Sequence, residues 1–180
     1  MDYRGQVAHH EAPHAVIALM TRLGLSQDGM DIDAPTSVPG AFGKTGVMTH
    51  GAELEQPESD QFNDLGRLLA VTLAGAVSDA KLKGLSPSDA LQAQPGDLAV
   101  AKRFCTEYPF AQDEGEAVAL DRGLQIAAKR LAEPGAWDAV CAVAKACLAR
   151  GGKLSKLEIE DIALPILGIE GPVGLVATPD

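Results

Sequence analysis

Between Asp60 and Gly84, apolar residues recur at steps of three and four: Phe62, Leu65, Leu69, Leu73, Ala76, Val77 and Ala80. A helix turns by about 100° per residue, so this spacing draws one apolar stripe along a helical face. It does not suit a strand, whose side chains alternate between two faces. Aromatic residues are scarce at 4%, while Ala and Leu are plentiful, which extends the helical reading to the whole chain and argues against a β-sandwich. At 180 residues the chain is expected to fold as one domain around its own core.

Punctuation by Gly, Pro and capping residues divides the rest. The first helix is expected over 5–24, with Val7, Val16, Ile17, Leu19, Met20 and Leu23 apolar. Helical periodicity is then lost in a segment rich in Gly, Pro, Ser and Asp. Two short strands, Gly29–Asp33 and Gly46–His50, are expected there, separated by an Ala34–Thr45 loop. The long periodic helix from Asp60 follows. Ser86-Pro87 opens a short helix or turn, and Asp97 after Pro95-Gly96 is placed to cap a helix carrying Leu98, Ala101, Phe104, Cys105 and Tyr108. Further helices are expected over Glu114–Leu131 and Trp137–Arg150. Ser155 and Glu158 form a capping box for a last helix reaching about Leu164. The expected fold class is mainly α: a single helical domain over 1–170 with a small β element after the first helix and a disordered tail over 171–180.

A net charge of −10 argues against a nucleic-acid partner, because phosphate contacts need clustered Lys and Arg. No apolar run approaches the roughly 18–20 residues of a membrane span, and no signal-peptide pattern opens the chain. Cys105, Cys141 and Cys147 make no CxxC pair, and an odd number of scattered thiols points to a reducing compartment, so the expected location is the cytoplasm.

The motif that carries chemistry is His10-Glu11-Ala12-Pro13-His14, an HExxH pentapeptide. Residues four apart share a helical face, so His10 and His14 can aim imidazole nitrogens at one zinc ion, while Glu11 lies beside the water that such a metal activates. Its role there is general base toward the water and then proton donor to the leaving amine. The plain alternative is a surface helix with a solvated His-Glu-His trio. Pro13 inside the motif removes the hydrogen bond to the His9 carbonyl and disfavours the helix by about 3 kcal/mol, so a kink or widened turn is expected near His9–Pro13. A third ligand is needed. Ile17 and Met20 stand where the extended HExxHxxGxxH motif needs Gly and His, and no Glu lies about 20 residues downstream of His14. Asp60, Asp64, Asp79, Asp97 and Glu107 remain as carboxylate candidates. Gly40-Ala-Phe-Gly-Lys44-Thr45 falls short of a phosphate loop, because Val38 stands where Gly is required and a strand-like segment follows.

Val7-Ala-His-His-Glu-Ala-Pro-His-Ala-Val16 resembles the start of the peptidase domain of FtsH-type zinc proteases, which reads HEAGH followed by Ala and a branched apolar residue. Leu73-Ala-Gly-Ala-Val-Ser-Asp-Ala80 is similar to that family's helix of small residues and acids. Gly96-Asp97-Leu98 resembles its Asn-Asp-Leu segment, and Lys153–Ile162 its closing Leu-x-x-x-Glu-Ile pattern. The resemblance implies a zinc-dependent metalloendopeptidase with His10, His14 and Asp97 as metal ligands, Glu11 as catalytic acid/base, and Gly46–His50 as an edge strand able to hold an extended substrate. It also implies a homo-oligomer acting on peptides or unfolded proteins. With no ATPase module expected in the chain, cleavage would be confined to flexible peptides or would depend on a separate ATPase partner. Asp79 and Asp64 stay open as third ligands. Two other readings also stay open: a non-catalytic module of the same fold, and an HExxH protease of the regulator-cleaving ImmA/IrrE type.

Overall fold

The computed structural model describes residues 1–35, 42–47, 58–108 and 113–170. Among them are eight helices and one three-stranded sheet. Helix α1 (Tyr3–Met20) starts at Asp2, whose carboxylate accepts from the Gly5 amide at 2.8 Å. It ends earlier than expected, because the Thr21 hydroxyl donates to the Ile17 carbonyl at 2.8 Å and the chain turns at Arg22, whose φ is 60°. Ala8, Ala12, Ala15 and Ala18 are fully buried along it, and such small side chains let α1 be covered on every side. It packs against the later helices Ala74–Lys83 and Ala136–Ala149 and against both longer strands. Helical structure runs unbroken through Pro13. The expected disturbance is met by a substitute hydrogen bond, in which Ser78 Oγ donates to the His9 carbonyl at 2.6 Å.

The β element follows α1, as expected, but is larger. Strand β1 (Leu25–Pro35) is central, β2 (Phe42–Val47) pairs antiparallel on one side, and β3 (Lys153–Leu154) pairs antiparallel on the other. Met30 faces Thr45 on one side and Leu154 on the other. The second strand therefore begins before Gly46, within the segment expected as loop. His50, most of that loop and the tail after Gly171 lie outside the described residues.

The periodic stretch expected as one helix is two, α2 (Glu58–Thr72) and α3 (Ala74–Lys83), with Leu73 between them at φ −96° and ψ 0°. Leu65, Leu69 and Leu73 are all fully buried, so the apolar stripe crosses the break without interruption and gives no sign of it. Helix α4 (Pro87–Gln92) is capped by Ser86 with Pro87 in its first turn, as expected. Helix α5 (Pro95–Glu107) begins at Gln94-Pro95, so Asp97 is not its cap but the third residue of its first turn. Helices α6 (Glu116–Leu131), α7 (Ala136–Ala149) and α8 (Lys156–Leu167) complete the chain, the last with the Ser155–Glu158 capping box in place. Ile17, Leu19, Leu25, Met30, Ile32, Leu154, Ile159 and Val140 join the α2 leucines in the core. Cys105 and Cys147 are buried and Cys141 is half-buried, all as free thiols. Among the described residues no helix is long and apolar enough to cross a membrane.

Candidate metal centre

His10 and His14 leave α1 on one face, four residues apart, where α3 crosses it and the first turn of α5 closes the space. Each of His10, His14 and Asp97 offers one ligand atom, and these atoms lie within 4.8 Å of one another. Asp97 Oδ2 is 3.2 Å from His10 Nε2 and 3.6 Å from His14 Nε2. Among the described residues that oxygen is buried without a hydrogen-bond partner. His14 Nδ1 lies 2.7 Å from the Val71 carbonyl. A carbonyl only accepts, so Nδ1 carries the proton and Nε2 presents its lone pair toward His10 and Asp97.

The meeting of α1 with α3 depends on Gly75. A methyl group there would sit 2.6 Å from His14 Nε2 and 2.7 Å from His10 Nε2, closer than non-bonded atoms approach. The missing side chain thus leaves open the space onto which both nitrogens face. Two imidazoles and a carboxylate, with a buried oxygen unpartnered among the described residues and a space that a Cβ at Gly75 would fill, fit a divalent transition cation such as zinc.

Asp79 sits behind this group. Its Oδ2 is 3.4 Å from His10 Nδ1, within ion-pair range but without hydrogen-bond geometry. The same oxygen accepts from Gln94 Nε2 at 2.6 Å and lies 3.2 Å from Lys83 Nζ. Burial opposes a charged His10, yet the Asp79 and Asp97 carboxylates beside it outweigh burial and lift its pKa to about 10. Burial likewise works to raise both aspartates. His14 and His10 around Asp97, and His10 with Lys83 around Asp79, hold both carboxyls below their ordinary value. The pair of carboxylates thus favours a cation at the His10 ring, and a metal bound there takes the place of its proton.

Glu11, one residue on, is buried on the neighbouring face and reaches a cleft of about 500 Å³ that His14 and Asp97 also line. Gly43, Lys44, Thr45 and Val47 of β2 line it, together with the apolar Leu68, Val71, Val100 and Phe104 of α2 and α5. Thr45 Oγ1 donates to Glu11 Oε2 at 2.8 Å. The Lys44-Thr45 pair that superficially suggested a phosphate loop therefore serves a strand: Lys44 pairs with Asp28 at 3.5 Å and Thr45 with Glu11.

Of the other carboxylate candidates, Asp64 pairs with Arg67, and Glu107 lies 3.5 Å from Arg103 Nε. Neither joins the group, and the Asp60 side chain lies outside the described residues. His9 Nδ1 lies 2.8 Å from the Gly5 carbonyl of its own helix and takes no part. Sequence reasoning missed Thr45, Gly75, Ser78 and Gln94. Each meets its partner across a long stretch of chain, and nothing in the local sequence marks the contact. No model of a known protein family and no curated protein sequence matches the chain.

Proposed function

We propose that the chain is a zinc-dependent metalloendopeptidase of the FtsH peptidase type, with His10, His14 and Asp97 holding the metal and Glu11 acting as acid/base. The observation that carries the reading is the convergence of the three ligand atoms within 4.8 Å at a cleft lined by His14, Asp97 and Glu11. When bound there, zinc supplies Lewis acidity, which acidifies water and polarises a peptide carbonyl. The residues of the chain do the rest. Glu11 accepts a proton from the attacking water and returns it to the leaving amine nitrogen. Among the described residues strand β2 is at the edge of the sheet, so its outer backbone groups can hold an extended peptide by main-chain hydrogen bonds. Leu68, Val71, Val100 and Phe104 offer that peptide an apolar wall for one side chain. An extended dock of this kind suits flexible peptides and unfolded segments, to which folded substrates would need delivery by a separate ATPase partner. The free thiols fit a reducing compartment, the cytoplasm.

The test is paired metal analysis and cleavage of an unfolded protein such as casein. Glu11→Gln is expected to keep its zinc and lose cleavage by about 10²–10⁴-fold, the range of general acid/base contributions. A Glu11→Gln variant that cuts as fast as the parent overturns the mechanism, and a purified parent chain that neither retains nor takes up zinc overturns the reading.

A further inference from the structure

The general base proposed above is held by a residue from outside its own helix. Among the described residues the Glu11 carboxylate has one hydrogen-bond donor, the Thr45 hydroxyl at 2.8 Å from Oε2. The same hydroxyl lies 3.1 Å from the Glu11 carbonyl, so it sits over the base of the side chain as well as its tip. The other carboxylate oxygen, Oε1, lies over Gly43: a methyl group added there would come within 2.5 Å of Oε1 and 2.8 Å of Val7 Cγ1. Gly43 has φ +112°, a backbone conformation that residues with side chains rarely adopt. Positions 43 and 45 are two apart on one strand and both meet Glu11, as the alternation of a strand allows. Strand β2 thus fixes one oxygen and leaves room for the other, and all three residues line the same cleft.

We propose that Thr45 is the positioning residue for Glu11. Its hydroxyl anchors Oε2, and Oε1 is left as the oxygen that exchanges protons with water and the leaving amine. This rests on the peptidase reading. A buried carboxylate on a flexible side chain has several rotamers, and a proton transfer needs one of them held within a few tenths of an ångström. A hydroxyl donor on a paired strand holds it without adding charge. Threonine also presents a methyl group, so Thr45→Val keeps the shape and removes only the donor, while Thr45→Ser keeps the donor and removes the methyl.

The experiment has three readouts on the full chain. Zinc content and casein cleavage of the parent come first; absence of either defeats the peptidase reading, and the positioning role falls with it. With an active parent, Thr45→Val is expected to keep its zinc and its KM within about twofold and to lose kcat by about 10–100-fold, the range typical when a hydrogen-bond partner that orients a site residue is lost. Thr45→Ser is expected to recover most of that loss. The third readout does not depend on activity. By thermal melting, Thr45→Val is expected to lower the melting temperature by about 3–12 °C in the parent, since a hydrogen bond to a buried charge is removed, and by far less in a Glu11→Ala background, where the acceptor is gone. Equal losses in the two backgrounds, an unchanged kcat in Thr45→Val, or a Thr45→Ser variant as impaired as Thr45→Val each overturn the positioning role while leaving the peptidase reading intact. Thr45→Ala, run beside Thr45→Val, gives the same comparison should the valine strain the strand.

Discussion

Ser78 Oγ donates to the His9 carbonyl at 2.6 Å, and that carbonyl is the one Pro13 leaves without a helical N–H. Ser78 is fully buried on α3, so the proline inside the HExxH motif is compensated by a side chain from the helix that also carries Gly75 and Asp79. Ser78→Ala leaves a buried acceptor unsatisfied and is expected to cost about 1–3 kcal/mol, or roughly 2–12 °C in melting temperature for a chain of this size. Pro13→Ala restores the backbone donor. In that background the cost of Ser78→Ala is expected to shrink markedly, and equal costs in the two backgrounds would show that Ser78 does not stand in for the missing N–H.

A second prediction concerns acid stability. Glu158 Oε2 accepts from the Ser155 amide and hydroxyl, both at 2.8 Å. These bonds, the backbone one foremost, hold the Glu158 carboxyl below its ordinary value of 4.5. A carboxyl depressed in the folded state adds stability that is fully present above its unfolded pKa and is lost as pH falls through the folded one. Glu158→Gln is therefore expected to be less stable than the parent at neutral pH. The gap closes as pH drops below about 4.5, as melting curves over an acid series would show. A gap that stays constant across that series contradicts the charge-based account of the cap.

How much of this was legible beforehand follows from the range of each interaction. The shared face of His10 and His14, the Ser86-Pro87 start and the Ser155–Glu158 cap all depend on residues within one turn of helix, where spacing fixes geometry, and each is found as expected. The break at Leu73 was hidden because a single apolar stripe serves both helices. Strand β3 is two residues long and exists only because β1 offers it an edge, so no periodicity can announce it. Asp97 was legible as an acid near a helix start. Its place over both imidazoles depends on how α5 packs against α2, which no local pattern records. Thr45 and Gly75 act at contacts 34 and about 60 residues away in sequence, and their residue types alone suggest turn and strand chemistry rather than support of a site.

Gly75 gives the sharpest test of where a cation would sit. An added methyl group falls 2.6 and 2.7 Å from the two Nε2 atoms. It would occupy the space beside both Nε2 atoms, without changing the charge or ligand set of the group. Alanine is also the better helix former, so α3 itself is not weakened. Gly75→Ala is expected to fold, with a helical circular dichroism spectrum like that of the parent, and to lose zinc on dialysis that the parent retains. If Gly75→Ala holds zinc as tightly as the parent, the cation does not bind between His10 and His14.

The two aspartates are expected to separate by magnitude. Asp97 Oδ2 faces both Nε2 atoms and has no other partner among the described residues, whereas Asp79 Oδ2 faces the far nitrogen of His10 and is already engaged by Gln94 and Lys83. A carboxylate behind a histidine orients the ring and raises its basicity, and its loss typically weakens metal binding about 10–100-fold. Loss of a direct ligand removes one of three protein contacts to the metal and costs more. Asp79→Asn is therefore expected to bind zinc at the parent's stoichiometry with affinity about 10–100-fold lower, while Asp97→Asn suffers the larger loss, measured by competition against a zinc-responsive chelator. Lys83→Met offers a control on the outer position. It frees Asp79 from its ammonium neighbour while leaving Gln94 and His10 in place, so its effect on affinity should be smaller than that of Asp79→Asn. An Asp79→Asn loss exceeding that of Asp97→Asn would move the third ligand from α5 to α3.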